Sequence, residues 1–147
     1  MSDQIYRKVA GVLDTLPNGF PATESGVEIK LLKKIFTPEQ GALFCEMRLT
    51  FETAEEVARR TGRPSEGLPE MLLSMAKAGQ LFMVKLGDAH YFKMLPWAFG
   101  IYEFQGPRMD QEFAELWEEY APVYHRQFCS MTPQLMQAIK LLQMSNL

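Results

Sequence analysis

Residues 53–95 read TAEEVARRTGRPSEGLPEMLLSMAKAGQLFMVKLGDAHYFKML, and this stretch decides the fold. Its first four residues, Thr53 to Glu56, have the pattern of a capping box and predict a short helix that ends at Gly62. A turn follows over residues 63–67, and apolar residues at helical spacing predict a second helix over residues 68–78. This is the order of a helix-turn-helix.

Two runs rich in aromatic and branched residues follow the second helix, at residues 81–86 and 91–95. Gly87 and Asp88 lie between them, which is a signal for a β-hairpin. Pro96 ends the second strand. The whole stretch therefore predicts a winged helix, an arrangement that commonly binds DNA.

Amphipathic helices flank this unit on both sides. Apolar residues at helical spacing predict helices over about residues 5–16, 27–36, 37–47 and 110–120, and a last helix from Thr132 and Pro133 to the C-terminus. Thr37 and Gln40 have the pattern of a second capping box, at the start of the helix over 37–47, and residues 105–108 are predicted to form a loop. Pro122 ends or kinks the fourth of these helices, and residues 123–128 show no clear pattern.

The predicted fold class is mainly α with a small β-hairpin, a winged helix-turn-helix with extra N- and C-terminal helices. We expect a winged-helix domain with flanking helices over residues 1–122. A C-terminal linker and helical tail are expected over residues 123–147.

The composition fits one cytoplasmic domain. The chain has 147 residues, 47% of them hydrophobic, so a substantial buried core is expected. Two cysteines, Cys45 and Cys129, cannot form a disulfide framework and suit a reducing cytoplasm. No apolar stretch approaches the ~20 residues of a membrane span, and the N-terminus lacks a signal-peptide pattern. We therefore expect a cytoplasmic protein without membrane contact.

The charge distribution argues against nucleic-acid binding. The net charge is −3; residues 1–100 hold 12 basic and 12 acidic side chains, and residues 101–147 hold 3 and 6. The second helix of the helix-turn-helix, which should enter a DNA groove, has Lys77 as its one basic residue. Base readout and phosphate contacts need a larger supply of basic and amide side chains. DNA binding is therefore possible but disfavoured, and contact with a protein is favoured.

Several basic residues remain candidates for contact with DNA or a partner. They are Arg59, Arg60 and Arg63 on the first helix and turn, Lys77 on the second helix, and Lys85 and Lys93 on the hairpin, where His90 also lies. A solvated positive face is the simpler interpretation of the three arginines.

No set of residues points to catalysis or to a bound metal. His125 and Cys129 are four apart and would share one face of a helix, but two ligands do not make a metal site. Cys45 is expected to be a buried, unreactive thiol. The glutamates at 112, 115, 118 and 119 are expected to form a solvated acidic face. Phosphate-binding, hydrolase and zinc-protease motifs are absent, so we predict a protein that is not an enzyme and has no metal and no cofactor.

Three stretches resemble one known family. Residues 16–26, LPNGFPATESG, with residues 31–38, LLKKIFTP, are similar to the N-terminal region of a family of bacterial 4Fe-4S ferredoxin proteins. Residues 96–105, PWAFGIYEFQ, resemble the end of that region, so the resemblance covers roughly residues 5–122. It implies the fold of a winged-helix accessory domain and membership in an anaerobic redox system. The family's CxxCxxCxxxC cluster ligands are absent, so electron transfer is not implied for any residue here.

The C-terminal segment carries a second resemblance. Residues 131–147, MTPQLMQAIKLLQMSNL, are similar to the N-terminal activator-response segment of sigma-54 factors. In that family the segment is a helix that contacts the AAA+ activator and restrains polymerase opening. The resemblance implies that the apolar stripe of Leu135, Ile139 and Leu142 makes such a contact. The simpler alternative is a capped amphipathic helix that packs on its own domain.

These observations favour a non-catalytic docking or regulatory module with a protein partner, either a redox protein or a component of transcription. The alternative is a transcription regulator that acts through DNA, or through contact of the tail with polymerase or an AAA+ activator.

Overall fold

The computed structural model describes residues 3–127, which form a mainly helical fold with one antiparallel two-stranded hairpin. The helices are α1 (Asp3–Thr15), α2 (Val27–Ile35), α3 (Pro38–Glu46), α4 (Ala54–Thr61), α5 (Leu68–Lys77), the single turn α6 (Tyr102–Phe104) and α7 (residues 111–127). The strands are β1 (Leu81–Leu86) and β2 (Ala89–Met94). The predicted class, mainly α with a small β-hairpin, is confirmed. The predicted terminal helix lies outside the described residues.

The first three helices pack together through their apolar stripes. Val9 and Leu13 on α1 are fully buried, and α1 contacts both α2 and α3. The Tyr6 hydroxyl donates a hydrogen bond to the Phe36 carbonyl at 2.8 Å, and the Phe36 ring lies 5.3 Å from that of Phe44. This contact fixes α1 against the connection between α2 and α3.

Two predicted capping boxes are confirmed. The Thr37 hydroxyl accepts a hydrogen bond from the backbone N–H of Gln40, and the Thr53 hydroxyl accepts one from the backbone N–H of Glu56, each at 3.2 Å. Caps of this kind stabilise a helix by about 1 kcal/mol. Gly62 adopts a left-handed conformation with φ 76° and ends α4, as the sequence predicted.

The hairpin packs on α5 through β1, and the backbone of Glu52 pairs with β2 on the edge away from β1. Leu72 and Met75 of α5 are fully buried, and α5 contacts β1. The turn lies at Gly87 and Asp88, as predicted, although β2 begins two residues earlier than expected. Glu52 exchanges two backbone hydrogen bonds with Phe92, at 2.9 and 2.8 Å, on the other side of β2. β2 is therefore central, and β1 is an edge strand among the described residues.

α7 returns to the N-terminal part of the chain. Tyr120 is fully buried, and its hydroxyl donates to the Pro21 carbonyl at 2.7 Å. The Phe20 ring lies between Trp97 and Tyr120, with centroid distances of 5.1 and 5.2 Å. These aromatic contacts join three distant parts of the sequence into one core.

The predicted end of this helix near Tyr120 is wrong, because α7 continues through Pro122 to residue 127. Pro122 lies on the exposed side, whereas Tyr124 is only 3% exposed and its ring lies 6.0 Å from that of Tyr120. Burial of Tyr124 offsets the one hydrogen bond that proline removes. The expected boundary between residues 122 and 123 therefore falls within a helix. A second difference is that the predicted loop at 105–108 contains a short 3-10 turn, Gly106–Arg108.

No helix within residues 3–127 combines the length and the apolar character that a bilayer crossing requires.

Candidate docking surface

The strand register divides the hairpin into two faces. Leu81 pairs with Met94, and Met83 pairs with Phe92, on the face directed into the core. Phe82 pairs with Lys93, Val84 with Tyr91 and Leu86 with Ala89 on the other face. We define the hairpin surface as this outer face together with a residue that packs on it: Phe51, Phe82, Val84, Leu86, Tyr91 and Lys93.

An aromatic and cationic cluster lies at the centre of the hairpin surface. The rings of Phe51 and Phe82 are 6.0 Å apart. The Lys93 ammonium lies 5.0 Å from the Phe51 centroid and 5.6 Å from that of Phe82. A cation over an exposed ring contributes about 0.5–1 kcal/mol. Lys93 is thus held over aromatic rings and does not project freely as a phosphate contact would.

Large apolar side chains on this surface are exposed to solvent. Leu86 is 66% exposed and Phe51 is 42% exposed, and neighbouring Leu49 is 46% exposed. Aromatic and aliphatic groups that gather on one face, with a polar rim, mark protein interaction sites. Phe51 and Leu86 therefore give the hairpin surface an exposed apolar character.

The outer edge of β1 adjoins this surface. Within residues 3–127 the sheet contains β1 and β2 only, so no strand pairs with this edge. A cavity of about 180 Å³ beside β1 is lined by Ala76, Leu81, Phe82, Met83 and Phe104, together with Lys77. An extended segment of a partner could pair with such an edge and place one side chain in the cavity.

The structure gives Arg60 a structural position. Its guanidinium donates two hydrogen bonds of 2.7 Å to the Glu52 carboxylate and one of 2.8 Å to the Glu46 carbonyl. Hydrogen bonding to Glu52 raises the pKa of Arg60, and the charge of Glu52 adds to this effect. Arg63 pairs with the Glu46 carboxylate. These two arginines are therefore not a solvated positive face.

The remaining basic residues of α4 and α5 are few. Arg59 and Lys77 are exposed, and they are the basic side chains of these two helices that lie outside ion pairs in the described structure. The exposed positions of α5 include Glu70, Ser74 and Lys77, which are spaced to share one face. A surface with one acid, one hydroxyl and one base offers little to a DNA groove.

The other predicted contact residues are scattered. Lys85 is exposed near the end of β1, opposite His90 in the register. Lys93 lies in the aromatic cluster described above. The roles of all six basic residues in binding stay predictions. The predicted tail contacts Leu135, Ile139 and Leu142 lie outside the described residues.

The structure does not assemble a metal site among residues 3–127. No group of three or more His, Cys, Asp or Glu side chains is placed there to share an ion. His125 is exposed, with its ring 6.2 Å from Trp117, and Cys129 lies outside the described residues. Cys45 is half-buried and not fully buried as expected, and burial raises the pKa of its thiol.

Phe51 is the surface residue that the sequence-based argument missed. It lies in the run Leu49-Thr50-Phe51, which precedes the capping box at Thr53. This run alternates apolar and polar residues, a short strand-like signal that could have placed Phe51 beside the hairpin.

No known protein-family profile, no curated protein and no solved structure matches the chain.

Proposed function

We propose that the protein is a non-catalytic docking module that binds another protein through the hairpin surface. The observation that carries this proposal is the cluster of exposed Phe51 and half-buried Phe82 beneath Lys93, with exposed Leu86 at the tip of the hairpin. Aromatic residues on a rigid element lose little conformational entropy on binding, and they dominate the energy of many interfaces.

The proposed architecture of the module is a winged helix. Its support is the order α4, α5, β1, β2, in which the hairpin would be the wing. The backbone pairing of Glu52 with Phe92 adds a third strand position directly before α4.

The proposed relation is to the accessory domain of bacterial 4Fe-4S ferredoxin proteins. The hairpin surface lies inside residues 5–122, which carry that resemblance. The chain has two cysteines and lacks the family's run of cluster ligands, so the module would need a partner for any redox role. A redox protein that carries its own cluster is therefore the proposed partner.

Leu86→Asp is the substitution that tests docking most simply. Leu86 is 66% exposed, so a charge there should leave folding intact but place a poorly solvated carboxylate in any interface. We expect affinity purification from the native cells, read by quantitative mass spectrometry, to recover a partner with the unmodified protein and to lose it with Leu86→Asp. Lys30→Asp, at an exposed position of α2, is the control and should retain the partner.

Recovery of the same proteins with both variants would contradict docking through this surface. Thermal unfolding of each variant shows whether it is folded before the comparison is made.

A second candidate function is transcription regulation. Exposed Arg59 and Lys77 on adjacent helices favour it, as does the likeness of residues 131–147 to the sigma-54 activator-response segment. It predicts duplex DNA binding that weakens when Arg59 and Lys77 are changed to Ala, or capture of an AAA+ activator that is lost on Ile139→Asp. Fluorescence anisotropy at low salt and a pull-down measure these two outcomes.

A further inference from the structure

A small aromatic pocket lies between α7 and the irregular turn Trp97–Ile101, apart from the hairpin surface. Its walls include Trp97, Tyr102, Trp117 and Tyr124, and its volume is about 170 Å³. The Trp117 ring centroid lies 5.9 Å from Trp97, 4.4 Å from Tyr102 and 5.9 Å from Tyr124. At about 30 Å³ per water molecule, this space suits a small head group and not a drug-sized ligand.

The turn at the rim of this pocket is held in a strained conformation. Phe99 has φ 57° and ψ 42°, a left-handed conformation that is costly for a bulky residue. Its side chain is 73% exposed and lines the pocket, so burial in the core does not explain an aromatic residue here. Asn18 Nδ2 donates to the Ala98 carbonyl at 3.0 Å, and the Gly100 amide donates to Glu103 Oε1 at 2.7 Å. The turn is thus fastened on both sides of the strained residue.

A carboxylate lies at the edge of this pocket. Glu103 is the one acidic side chain in its lining, and His125 completes the rim. Burial raises the pKa of Tyr124 to about 12. The electron-rich ring faces and the carboxylate favour a cation over an anion.

We propose that this pocket binds the trimethylammonium group of a small molecule of the choline type. A quaternary ammonium donates no hydrogen bonds, so it gains most from aromatic side chains, and Phe99, Tyr102 and Trp117 line this pocket without being fully buried. A primary ammonium would need several acceptors, whereas the Glu103 oxygen Oε1 already accepts the Gly100 amide. This site is independent of the proposed docking function, and either proposal can fail alone.

Intrinsic fluorescence provides a direct readout. The chain contains two tryptophans, and both line the pocket. Choline chloride is titrated into the full-length protein against sodium chloride at equal ionic strength, and against the neutral isostere 3,3-dimethylbutan-1-ol. We expect a saturable change with choline, no such change with sodium chloride, and about tenfold weaker binding of the isostere because it lacks the cation–π term.

Two variants and one control locate the site. Glu103→Gln keeps an oxygen acceptor for the Gly100 amide and removes the charge, so choline binding should weaken several-fold. Tyr102→Leu removes a wall and should abolish saturation. Glu118→Gln removes an exposed charge of α7 outside the pocket lining and should leave the affinity unchanged. If Tyr102→Leu does not fold, Glu103→Gln still decides the question because Glu103 is exposed.

Equal affinity for choline and its isostere would overturn recognition of a cation. A fluorescence change that does not saturate with choline would contradict binding at this site. So would a saturable change that neither Glu103→Gln nor Tyr102→Leu alters. Co-sedimentation of the protein with phosphatidylcholine vesicles would contradict a free small molecule as the ligand. It would instead show that the trimethylammonium group belongs to a lipid.

Discussion

At the scale of single residues, Arg60 is held by acceptors on both sides of its guanidinium. Glu52 is 6% exposed, so its carboxylate depends on Arg60 for a counter-charge. We expect Arg60→Met to lower the free energy of unfolding by about 3 kcal/mol, since it leaves a buried charge without a partner. Arg59→Met, on the exposed side of the same helix, should change it by less than about 0.5 kcal/mol. Urea unfolding of the two variants measures the difference, and equal effects would contradict the structural role of Arg60.

This assignment also bears on any DNA-binding test. A loss of binding in Arg60→Ala would report unfolding as much as lost contact, whereas Arg59 and Lys77 can be changed without disturbing an ion pair of the described structure.

At the scale of elements, the connection between α5 and β1 requires glycine for two reasons. Gly79 has φ 75°, and a Cβ there would lie 2.6 Å from Phe104 Cβ and 2.9 Å from Gln105 Nε2. Gln105 Nε2 donates to the Ala78 carbonyl at 3.0 Å, so a clash would also disturb that hydrogen bond. Gly62 has almost the same φ, 76°, but a Cβ there would meet nothing within 4 Å.

Comparison of the two glycines separates strain from clash. Gly62→Ala should cost about 1–2 kcal/mol from the left-handed conformation alone. Gly79→Ala should cost about 1–3 kcal/mol more, because side chains must move to accept the Cβ. Thermal or urea unfolding measures both. If Gly79→Ala proves no more costly than Gly62→Ala, the close packing of α6 on this connection is not as described.

Elements were predictable from the sequence where their signals are local. The capping boxes at Thr37 and Thr53 and the glycine at the end of α4 depend on residues within one helical turn, and each is confirmed. The course of α7 through Pro122 was not predictable, because it depends on burial of Tyr124 against residues far away in the sequence. The hydrogen bond from Tyr120 to Pro21 spans 99 positions and has no local signal.

At the scale of the whole molecule, the charge pattern gives little support to DNA reading by α5. α5, the helix that would read DNA, has Lys77 as its one basic residue, and the nearby Arg60 and Arg63 form ion pairs. The sequence alone did not predict which residues lie together in a site. Phe51 meets the hairpin, and Trp97 meets α7, only when distant segments fold together. The apolar character of both stretches was visible, but not their placement on a surface or around a pocket.

Site-specific photocrosslinking in the native cells tests the central claim, protein contact through the hairpin surface, most directly. A benzophenone amino acid is placed at Leu86 in one variant and at Ser74, on the exposed face of α5, in another. The cells are irradiated, and digestion of the adducts with nuclease or protease then shows whether each adduct contains nucleic acid or a second protein. We expect a discrete protein adduct from Leu86 and no nucleic-acid adduct from Ser74. A DNA adduct from Ser74, without a protein adduct from Leu86, would contradict the docking function and favour a regulator that reads DNA.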